Sequence, residues 1–252
     1  MSEHVRIDRQ DGVLSLTLAR PERRNAITVA MYAALADAIS GAAGDGATRL
    51  ITLRGEGVDF TAGNDLGDFI SGGSTLADGD DAPVTRLLKA LAVNQVPILA
   101  AVHGNVVGIG TTMLFHCDLV IAEQGAKFLL PFVNLGLVPE AASSLLLPRL
   151  AGRRAAARHL LLGEPFGAEQ ALAMGLASHV VDQGQLDSAF DRIRAALLAK
   201  PPEALRLTQQ LLRSGASDEI LERMDLENGH FAERLSSDEV KQAIAAFYAK
   251  KK

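Results

Sequence analysis

The sequence contains a single cysteine, and its apolar residues form no run long enough to cross a membrane. Cys117 therefore has no partner for an internal disulfide, and no metal-ligand spacing surrounds it. A membrane-spanning helix needs roughly 18 consecutive apolar residues, which no stretch here reaches. Because disulfides are typical of oxidising compartments, we expect a cytoplasmic protein without a membrane partner.

An excess of positive charge is also missing. The chain has 25 Lys and Arg against 30 Asp and Glu, which gives a formal net charge of −5. Proteins that bind nucleic acids or anionic membrane surfaces usually carry basic patches. We therefore expect no nucleic acid among the partners.

Several common catalytic motifs are absent. The G-I-G at 108–110 lacks the third glycine and the downstream acidic residue of a dinucleotide site, and no G-K-[ST] phosphate loop is present. No serine lies in a G-x-S-x-G motif, which argues against an acyl-serine hydrolase. Four of the histidines, at 103, 116, 159 and 179, are scattered without metal-ligand spacing, so we expect no metal site.

What the sequence does contain is an alternation of strand and helix patterns over 252 residues, 48% of them hydrophobic. This length can bury a sizeable core, and the alternation predicts an α/β fold. The expected elements are a hairpin turning at Asp11-Gly12, a helix capped by Thr28 and ending near Ser40, strands near 50–53, 98–102, 118–122 and 127–130, and helices at 84–93 and from Pro139 to about Leu147.

From Leu186 onward the pattern is helical, with one predicted break at Pro201-Pro202. We divide the chain into a core, residues 1–185, and a C-terminal helical segment, residues 186–252. The apolar residues of that segment either pack on the core or form a subunit interface, and the pattern leaves both open. These residues are Leu221, Met224, Phe231, Val240, Ile244 and Phe247.

Two glycine-containing loops, F-T-A-G-N-D-L at 60–66 and V-G-I-G-T-T at 107–112, each lie where a strand pattern passes into a helix pattern. Such turns leave backbone N–H groups without partners at the start of the helix. Two N–H groups that converge form an oxyanion hole, which stabilises negative charge developing on a carbonyl oxygen. Each loop taken alone is also explained by an ordinary tight turn.

Glu140, in V-P-E-A-A-S-S-L-L-L-P at 138–148, is the only charged residue between Lys127 and Arg149. A carboxylate in an apolar pocket has its pKa raised by desolvation, toward the range of a general base. The alternative role is structural, because Pro139 followed by Glu140 is an ordinary helix start. In that role the helix dipole would lower the pKa of Glu140.

Several segments follow one another in a specific order: R-P-E-R-R-N-A, F-T-A-G-N-D-L, V-P-I-L-A-A-V-H-G-N-V-V-G-I-G-T, C-D-L-V-I-A, P-F-V-N-L-G-L-V-P-E, A-x-x-x-G-L-A at 171–177, and the helical tail. Together they resemble the crotonase, or enoyl-CoA hydratase/isomerase, superfamily over nearly the whole chain. The resemblance implies a crotonase-like spiral of β-β-α units, followed by a C-terminal helical trimerisation segment.

The resemblance also implies an acyl-CoA thioester substrate whose carbonyl is polarised by the backbone N–H groups of Asn64 and Ile109. It implies a homotrimer or hexamer, and no cofactor apart from the coenzyme A that belongs to the substrate. The substrate-binding candidates carried over by position are Arg23, Arg24, Ala62, Asp65, Phe132, Leu135 and Lys250. For Asp65 the alternative is a helix-capping role. The Gly-, Asp- and Ser-rich stretch 71–83 is expected to be mobile and to border the acyl site.

Hydratases of this family use two glutamates to activate water, and this chain has Thr112 and Phe132 at the matching positions. Neither side chain can act as a general base near neutral pH. The segment P-F-x-x-L-G-x-x-P-E-A instead resembles the Δ3,Δ2-enoyl-CoA isomerase branch, whose single glutamate matches Glu140. We therefore favour an enoyl-CoA isomerase with Glu140 as its base. Two alternatives stay open: a hydratase or other lyase that uses another carboxylate such as Asp68, and a non-catalytic acyl-CoA-binding protein.

Overall fold

The structure is a computed structural model that describes residues 3–65, 67 and 79–249, apart from the side chains of residues 244 and 247–249. The strands are β1 (Val5–Gln10), β2 (Val13–Leu18), β3 (Leu50–Gly55), β4 (Ile98–Val102), β5 (Asn105–Val107), β6 (Leu119–Glu123), β7 (Lys127–Leu129), β8 (Phe166–Gly167) and β9 (His179–Val181). The helices are α1 (Val29–Gly44), α2 (Pro83–Val93), α3 (Ile109–Thr112), α4 (Ser143–Ala151), α5 (Arg153–Leu161), α6 (Ala168–Ala173), α7 (Leu186–Leu198), α8 (Pro202–Arg213), α9 (Ser217–Leu235) and α10 (Asp238–Ala249).

The strands form two sheets, between which the chain passes back and forth. One sheet has the order β1-β2-β3-β4-β6-β9, and the other has the order β5-β7-β8. β1 and β2 are antiparallel around the Asp11-Gly12 turn, whereas β2, β3, β4, β6 and β9 pair in parallel. Because β4 and β6 lie in one sheet and β5 and β7 in the other, each β-β-α unit adds one turn of a spiral. The predicted α/β fold is therefore confirmed.

The central strand β4 is buried on both faces, as expected for a parallel strand covered from both sides. Leu99 and Ala101 point to one side, where they meet Leu186 and Phe190 of α7. The other side chains of the strand belong to the main core, between the sheets and helices α1 and α2. Helix α7 thus packs directly on the larger sheet.

The C-terminal segment has more breaks than the sequence predicted. Helices α7, α8, α9 and α10 are interrupted at 199–201, 214–216 and 236–237. Met224, Phe231 and Val240 are buried in the main core, so for these three residues the core-packing alternative is right. The side chains of Ile244 and Phe247 lie outside the described residues, and the proposed boundary at residue 185 falls between β9 and α7.

Two helix boundaries differ from the sequence prediction. The side chain of Thr28 accepts the Met31 N–H at 3.3 Å and caps α1 as predicted, but the helix continues to Gly44 rather than ending near Ser40. The helix expected from Pro139 begins only at Ser143. Among the described helices, none is long and apolar enough to cross a membrane.

Candidate active site

The two glycine-containing loops lie side by side and pair like short parallel strands. Thr61 bridges Val106: its N–H donates to the carbonyl of Asn105 at 3.0 Å, and the N–H of Val107 donates to the carbonyl of Thr61 at 3.1 Å. Asn64 and Ile109 each follow this bridge by three residues along parallel segments. The pairing therefore carries both predicted donors toward the same end of the two loops.

Glycines allow this close approach. A Cβ added to Gly63, where φ is +90°, would stand 3.0 Å from the carbonyl oxygen of Val107. A Cβ added to Gly110 would stand 2.2 Å from Cγ2 of Thr61. Larger side chains at these two positions would push the loops apart, which explains the glycine in each motif.

The backbone N–H groups of Asn64 and Ile109 are available for a ligand. Ile27 forms hydrogen bonds with the residues on either side of Asn64. Its N–H donates to the carbonyl of Gly63 at 2.8 Å, and its carbonyl accepts the N–H of Asp65 at 3.0 Å. Successive N–H groups of an extended segment point to opposite sides, so the N–H of Asn64 points away from Ile27. Ile109 is the first residue of α3, where an N–H has no intrahelical acceptor. Within the described part of the chain neither N–H has an acceptor.

Glu140 is buried beside α3, with 1% of its surface exposed. The hydroxyl of Thr112, the last residue of α3, lies 3.3 Å from Oε1 of Glu140. Burial raises the pKa of Glu140 to about 8, the Thr112 hydroxyl opposes that rise, and the nearby Glu227 adds to it. A carboxyl group with this pKa can exchange a proton near neutral pH.

The turn that carries Glu140 overturns the helix-start alternative. Ala141 and Ala142 have φ values of 60° and 56°, and α4 begins only after them, at Ser143. The carbonyl of Glu140 accepts the N–H of Ser143 at 3.0 Å and its hydroxyl at 2.6 Å. Glu140 therefore does not lie in the first turn of a helix, and its pKa is raised rather than lowered.

Three residues near the site were missed by the sequence analysis. The hydroxyl of Tyr32 on α1 donates to Oδ1 of Asn64, and burial together with the charge of Glu140 raises the pKa of Tyr32 well above 10. Nε2 of His116 contacts the carbonyl of Ala141 at 2.9 Å. Glu227 on α9 accepts the N–H groups of Ala142 and Ser144. None of the three lies in a local motif that could have identified it as part of the site.

The basic loop at Arg23 and Arg24 lies against the first donor loop. The N–H of Ala62 donates to the carbonyl of Arg24 at 2.9 Å, which joins the two loops through the backbone. Nε of Arg24 lies 3.7 Å from Oδ2 of Asp59, while two thirds of the Arg24 side chain stays exposed. Arg23 is also exposed. Both guanidinium groups are thus accessible next to the donor loop.

The remaining candidates have mixed placements. Oδ2 of Asp65 pairs with Nη1 of Arg20 at 2.6 Å, and its Oδ1 accepts the Gly67 N–H at 2.9 Å, which fits the structural alternative. Phe132 is buried and Leu135 is half-buried, and both pack with the main core. Lys250, Asp68 and residues 71–78 lie outside the described residues. Among those described, no three His, Cys, Asp or Glu residues form a group that could hold a metal ion.

Known proteins share both the sequence and the fold of this chain. Residues 8–252 match the family model for enoyl-CoA hydratase/isomerase. The whole chain is 34% identical to the 1,2-epoxyphenylacetyl-CoA isomerase of Escherichia coli and covers 97% of it. It is also 34% identical to a probable enoyl-CoA hydratase of Rhodobacter capsulatus, again covering 97% of that protein. Nearly all of the chain (99%) aligns at 31% identity with enoyl-CoA delta isomerase 2 of Rattus norvegicus, of which it covers 64%.

Two solved structures superpose closely on the chain. An enoyl-CoA hydratase/isomerase from Pseudoalteromonas atlantica has a TM-score of 0.91 and 39% identity, with 98% of each chain covered. OdaA of Pseudomonas aeruginosa has the same TM-score and identity, with 98% of this chain and 99% of that chain covered. The comparisons thus agree on the fold, while the names of the sequence relatives divide between isomerases and hydratases.

Proposed function

The chain belongs to the enoyl-CoA hydratase/isomerase family, and from that premise we propose that it is an enoyl-CoA isomerase that moves a 3-enoyl double bond to the 2-position. Glu140 is the base that shuttles the proton. The backbone N–H groups of Asn64 and Ile109 form the oxyanion hole. The substrate is an acyl-CoA thioester of fatty acid or related acyl-CoA metabolism.

One observation carries this proposal: the buried carboxyl group of Glu140 lies beside the short helix that begins with Ile109. Thr112 links the two, since its hydroxyl is 3.3 Å from Oε1 of Glu140 and 3.4 Å from the carbonyl oxygen of Ile109. We therefore expect a thioester whose carbonyl oxygen rests on the Ile109 N–H to bind next to the short helix against which Glu140 lies. General acid–base catalysis requires this kind of closeness.

The reaction then follows from the chemistry of a 3-enoyl thioester. The carboxylate of Glu140 takes a proton from C2, and the C–H electron pair forms a dienolate whose negative oxygen is held by the two N–H groups. Protonated Glu140 returns the proton to C4. The C3=C4 pair forms the new C4–H bond, a C2=C3 double bond appears, and the carbonyl is restored. One carboxyl group serves both steps, so no net proton is gained or lost.

The surroundings of Glu140 favour isomerisation over hydration. Thr112 and Phe132 occupy the two positions at which the resemblance implies hydratase glutamates, and neither can activate water. Glu227 is a second carboxylate in the neighbourhood, but both its oxygens accept backbone N–H groups. Among the described residues near the site, Glu140 is left as the carboxyl group available to a substrate.

For substrate binding we assign the exposed guanidinium groups of Arg23 and Arg24 to the phosphates of coenzyme A, with Lys250 as a further contact. The hydrogen bond from the N–H of Ala62 to the carbonyl of Arg24 brings the arginine loop beside the loop of the oxyanion donor Asn64. We assign Phe132 and Leu135 to the lining of the acyl pocket. Asp65 pairs with Arg20, so we assign it to holding its loop in place rather than to contacting the substrate. No cofactor other than the substrate's own coenzyme A takes part.

We further assign the protein to the cytoplasm as a homotrimer or hexamer assembled through its C-terminal helices. The support for assembly is a group of exposed leucines on α8 and α9 that no other part of the described chain covers. Their exposed fractions range from 44% to 78%, and they are Leu207, Leu211, Leu212 and Leu226. Apolar side chains clustered on the surface commonly mark subunit contacts.

The deciding experiment incubates the protein with 3-hexenoyl-CoA and, separately, with 2-hexenoyl-CoA, and analyses products by mass and double-bond position. A shifted double bond at unchanged mass is expected. A mass gain of one water would identify a hydratase, and binding of either thioester without any product would identify an acyl-CoA-binding protein. Glu140→Gln should lower the isomerisation rate by about 10²–10⁴-fold, while Glu222→Gln, at an exposed glutamate on α9, serves as the matched control.

A further inference from the structure

The turn that carries Glu140 is held by a carboxylate from a distant part of the chain. Oε2 of Glu227 accepts the N–H of Ala142 at 2.7 Å, and its Oε1 accepts the N–H of Ser144 at 2.9 Å. Glu227 lies on α9, in the C-terminal helical segment, and only 5% of its surface is exposed. It caps the start of α4 from outside, where Ala142 has no side chain able to do so.

The backbone of this turn needs such support. Ala141 and Ala142 both adopt left-handed φ values, which residues other than glycine seldom adopt because Cβ crowds the following carbonyl. Both alanines are fully buried. Each oxygen of the Glu227 carboxyl group accepts one backbone N–H, and these hydrogen bonds oppose the rise that burial causes in the pKa of Glu227.

A second contact holds the same turn from the other side. Burial lowers the pKa of His116 to about 4, so its imidazole is neutral near pH 7 and can donate its Nε2–H to the carbonyl of Ala141 at 2.9 Å. The carbonyl of Ala141 and the N–H of Ala142 are thus fixed by separate side chains. Glu140 directly precedes this pair, so the direction of its side chain depends on both contacts.

From this geometry we propose that Glu227 is a positioning residue for proton transfer by Glu140, an inference that rests on the proposed function. Its two hydrogen bonds keep Ala141 and Ala142 left-handed and thereby hold the Glu140 carboxyl group against α3. Without them the turn relaxes and the carboxyl group moves away from C2 and C4 of the substrate. Proton transfer is sensitive to such shifts, and a displacement of about 1 Å can lower a rate about 100-fold.

Glu227 also acts on Glu140 through its charge. It is one of the causes that raise the pKa of Glu140, so a neutral residue at 227 should lower that pKa. The other titratable or charged groups around the turn are Tyr32 on α1, His116 before β6, Arg213 at the end of α8, and Arg223 on α9, whose Nη1 lies 3.2 Å from Oγ of Ser144. Of these groups, Arg223 interacts with Glu227 itself, because its charge helps to lower the pKa of Glu227.

The test compares Glu227→Gln and Glu227→Ala with Glu222→Gln as the matched control on the same helix. Gln keeps one acceptor oxygen for one of the two N–H groups, whereas Ala keeps none. We expect kcat per folded molecule to fall about 10-fold for Gln and about 100-fold for Ala, with KM little changed. The folded fraction at the assay temperature is measured on each preparation, so that lost stability is not counted as lost catalysis.

Two further readouts separate positioning from a purely structural role. The pH dependence of kcat/KM should shift to lower pH in Glu227→Gln, and amide hydrogen exchange at Ala142 and Ser144 should accelerate in both variants. Normal kcat per folded molecule with an unshifted pH profile would overturn the inference, even if both variants were less stable. Failure of the proposed function would show elsewhere, as near-normal turnover by Glu140→Gln.

Discussion

Thr112 and Glu140 are 28 residues apart in the sequence, yet the Thr112 hydroxyl lies 3.3 Å from Oε1 of Glu140. This contact joins the helix that begins with the second oxyanion donor to the turn that carries the base. This distance is greater than the 2.5–3.0 Å or so typical of an O–H···O hydrogen bond. The hydroxyl therefore has a smaller effect on the pKa of Glu140 than burial has. The main influence on Glu140 is burial.

The first prediction concerns the base itself. Glu140→Gln keeps the size of the side chain but cannot accept a proton, so kcat should fall by about 10²–10⁴-fold. Acyl-CoA binding should change little, because the donors at Asn64 and Ile109 are backbone groups. Turnover of 3-hexenoyl-CoA and binding of the same thioester, measured on one preparation, check both statements. Near-normal turnover would remove Glu140 from the mechanism.

The predictable part of the site lies in contiguous motifs. The family resemblance of their loops implied Asn64 and Ile109 as donors, and the glycines next to them indicated a close backbone approach, which the structure shows at Gly63 and Gly110. Glu140 could be identified as the only charge in an apolar run. In each case the informative residues are neighbours in sequence.

The unpredictable part depends on long-range contacts. Pro139 and Glu140 resemble a helix start, but Ala141 and Ala142 take left-handed conformations that alanine disfavours. The contact that holds them comes from Glu227, 85 residues beyond Ala142. On the sequence alone Glu227 is one of several glutamates on an amphipathic helix, and nothing distinguishes it from an exposed one.

The second prediction is the pH dependence of catalysis. The free enzyme needs ionised Glu140, whose pKa is about 8, so kcat/KM should rise with pH and level off above about pH 8. Tyr32 does not titrate in this range, because its pKa is raised well above 10. Initial rates with 3-hexenoyl-CoA between about pH 6 and 9.5 measure the profile. A rate that stays constant over that interval would be incompatible with this base.

The third prediction is that Thr112 changes the pKa of Glu140 but takes no direct part in proton transfer. Thr112→Val keeps the shape of the side chain and removes the hydroxyl, which lowers the pKa of Glu140 in the wild type. The kcat/KM profile should therefore shift to higher pH, while the limiting rate at high pH falls less than about tenfold, far below the loss expected for Glu140→Gln. A loss at high pH as large as that of Glu140→Gln would instead give Thr112 a direct part in proton transfer.

The fourth prediction concerns assembly. We expect light scattering at micromolar concentration to show a trimer or hexamer. Leu211→Glu places a charge on a leucine that is 76% exposed on α8 and should dissociate the assembly. Leu162→Glu, at a leucine 63% exposed on the core, is the matched control and should not. A monomeric wild type, or an unchanged mass for Leu211→Glu, would contradict an interface at α8.

The last prediction links the base to stability. The folded protein raises the pKa of Glu140 from 4.5 to about 8, so between those values the folded state retains a proton that the unfolded chain has released. Stability must therefore fall as pH rises through this window, by up to about 1.4 kcal/mol for each pH unit from this one group.

Glu140→Gln has no such proton. The free energy of unfolding of the variant should thus exceed that of the wild type by an amount that grows from about pH 5 to about pH 8. Urea unfolding of both proteins at equal concentration across this range measures the difference. His116 also has a shifted pKa, but it is present in both proteins and largely cancels in the comparison. Glu227 is present in both proteins as well, and its charge contributes to the raised pKa of Glu140 that the comparison measures. A constant difference at every pH would mean that Glu140 ionises as easily in the folded protein as in the unfolded chain, and burial would then not be what prepares it to exchange a proton.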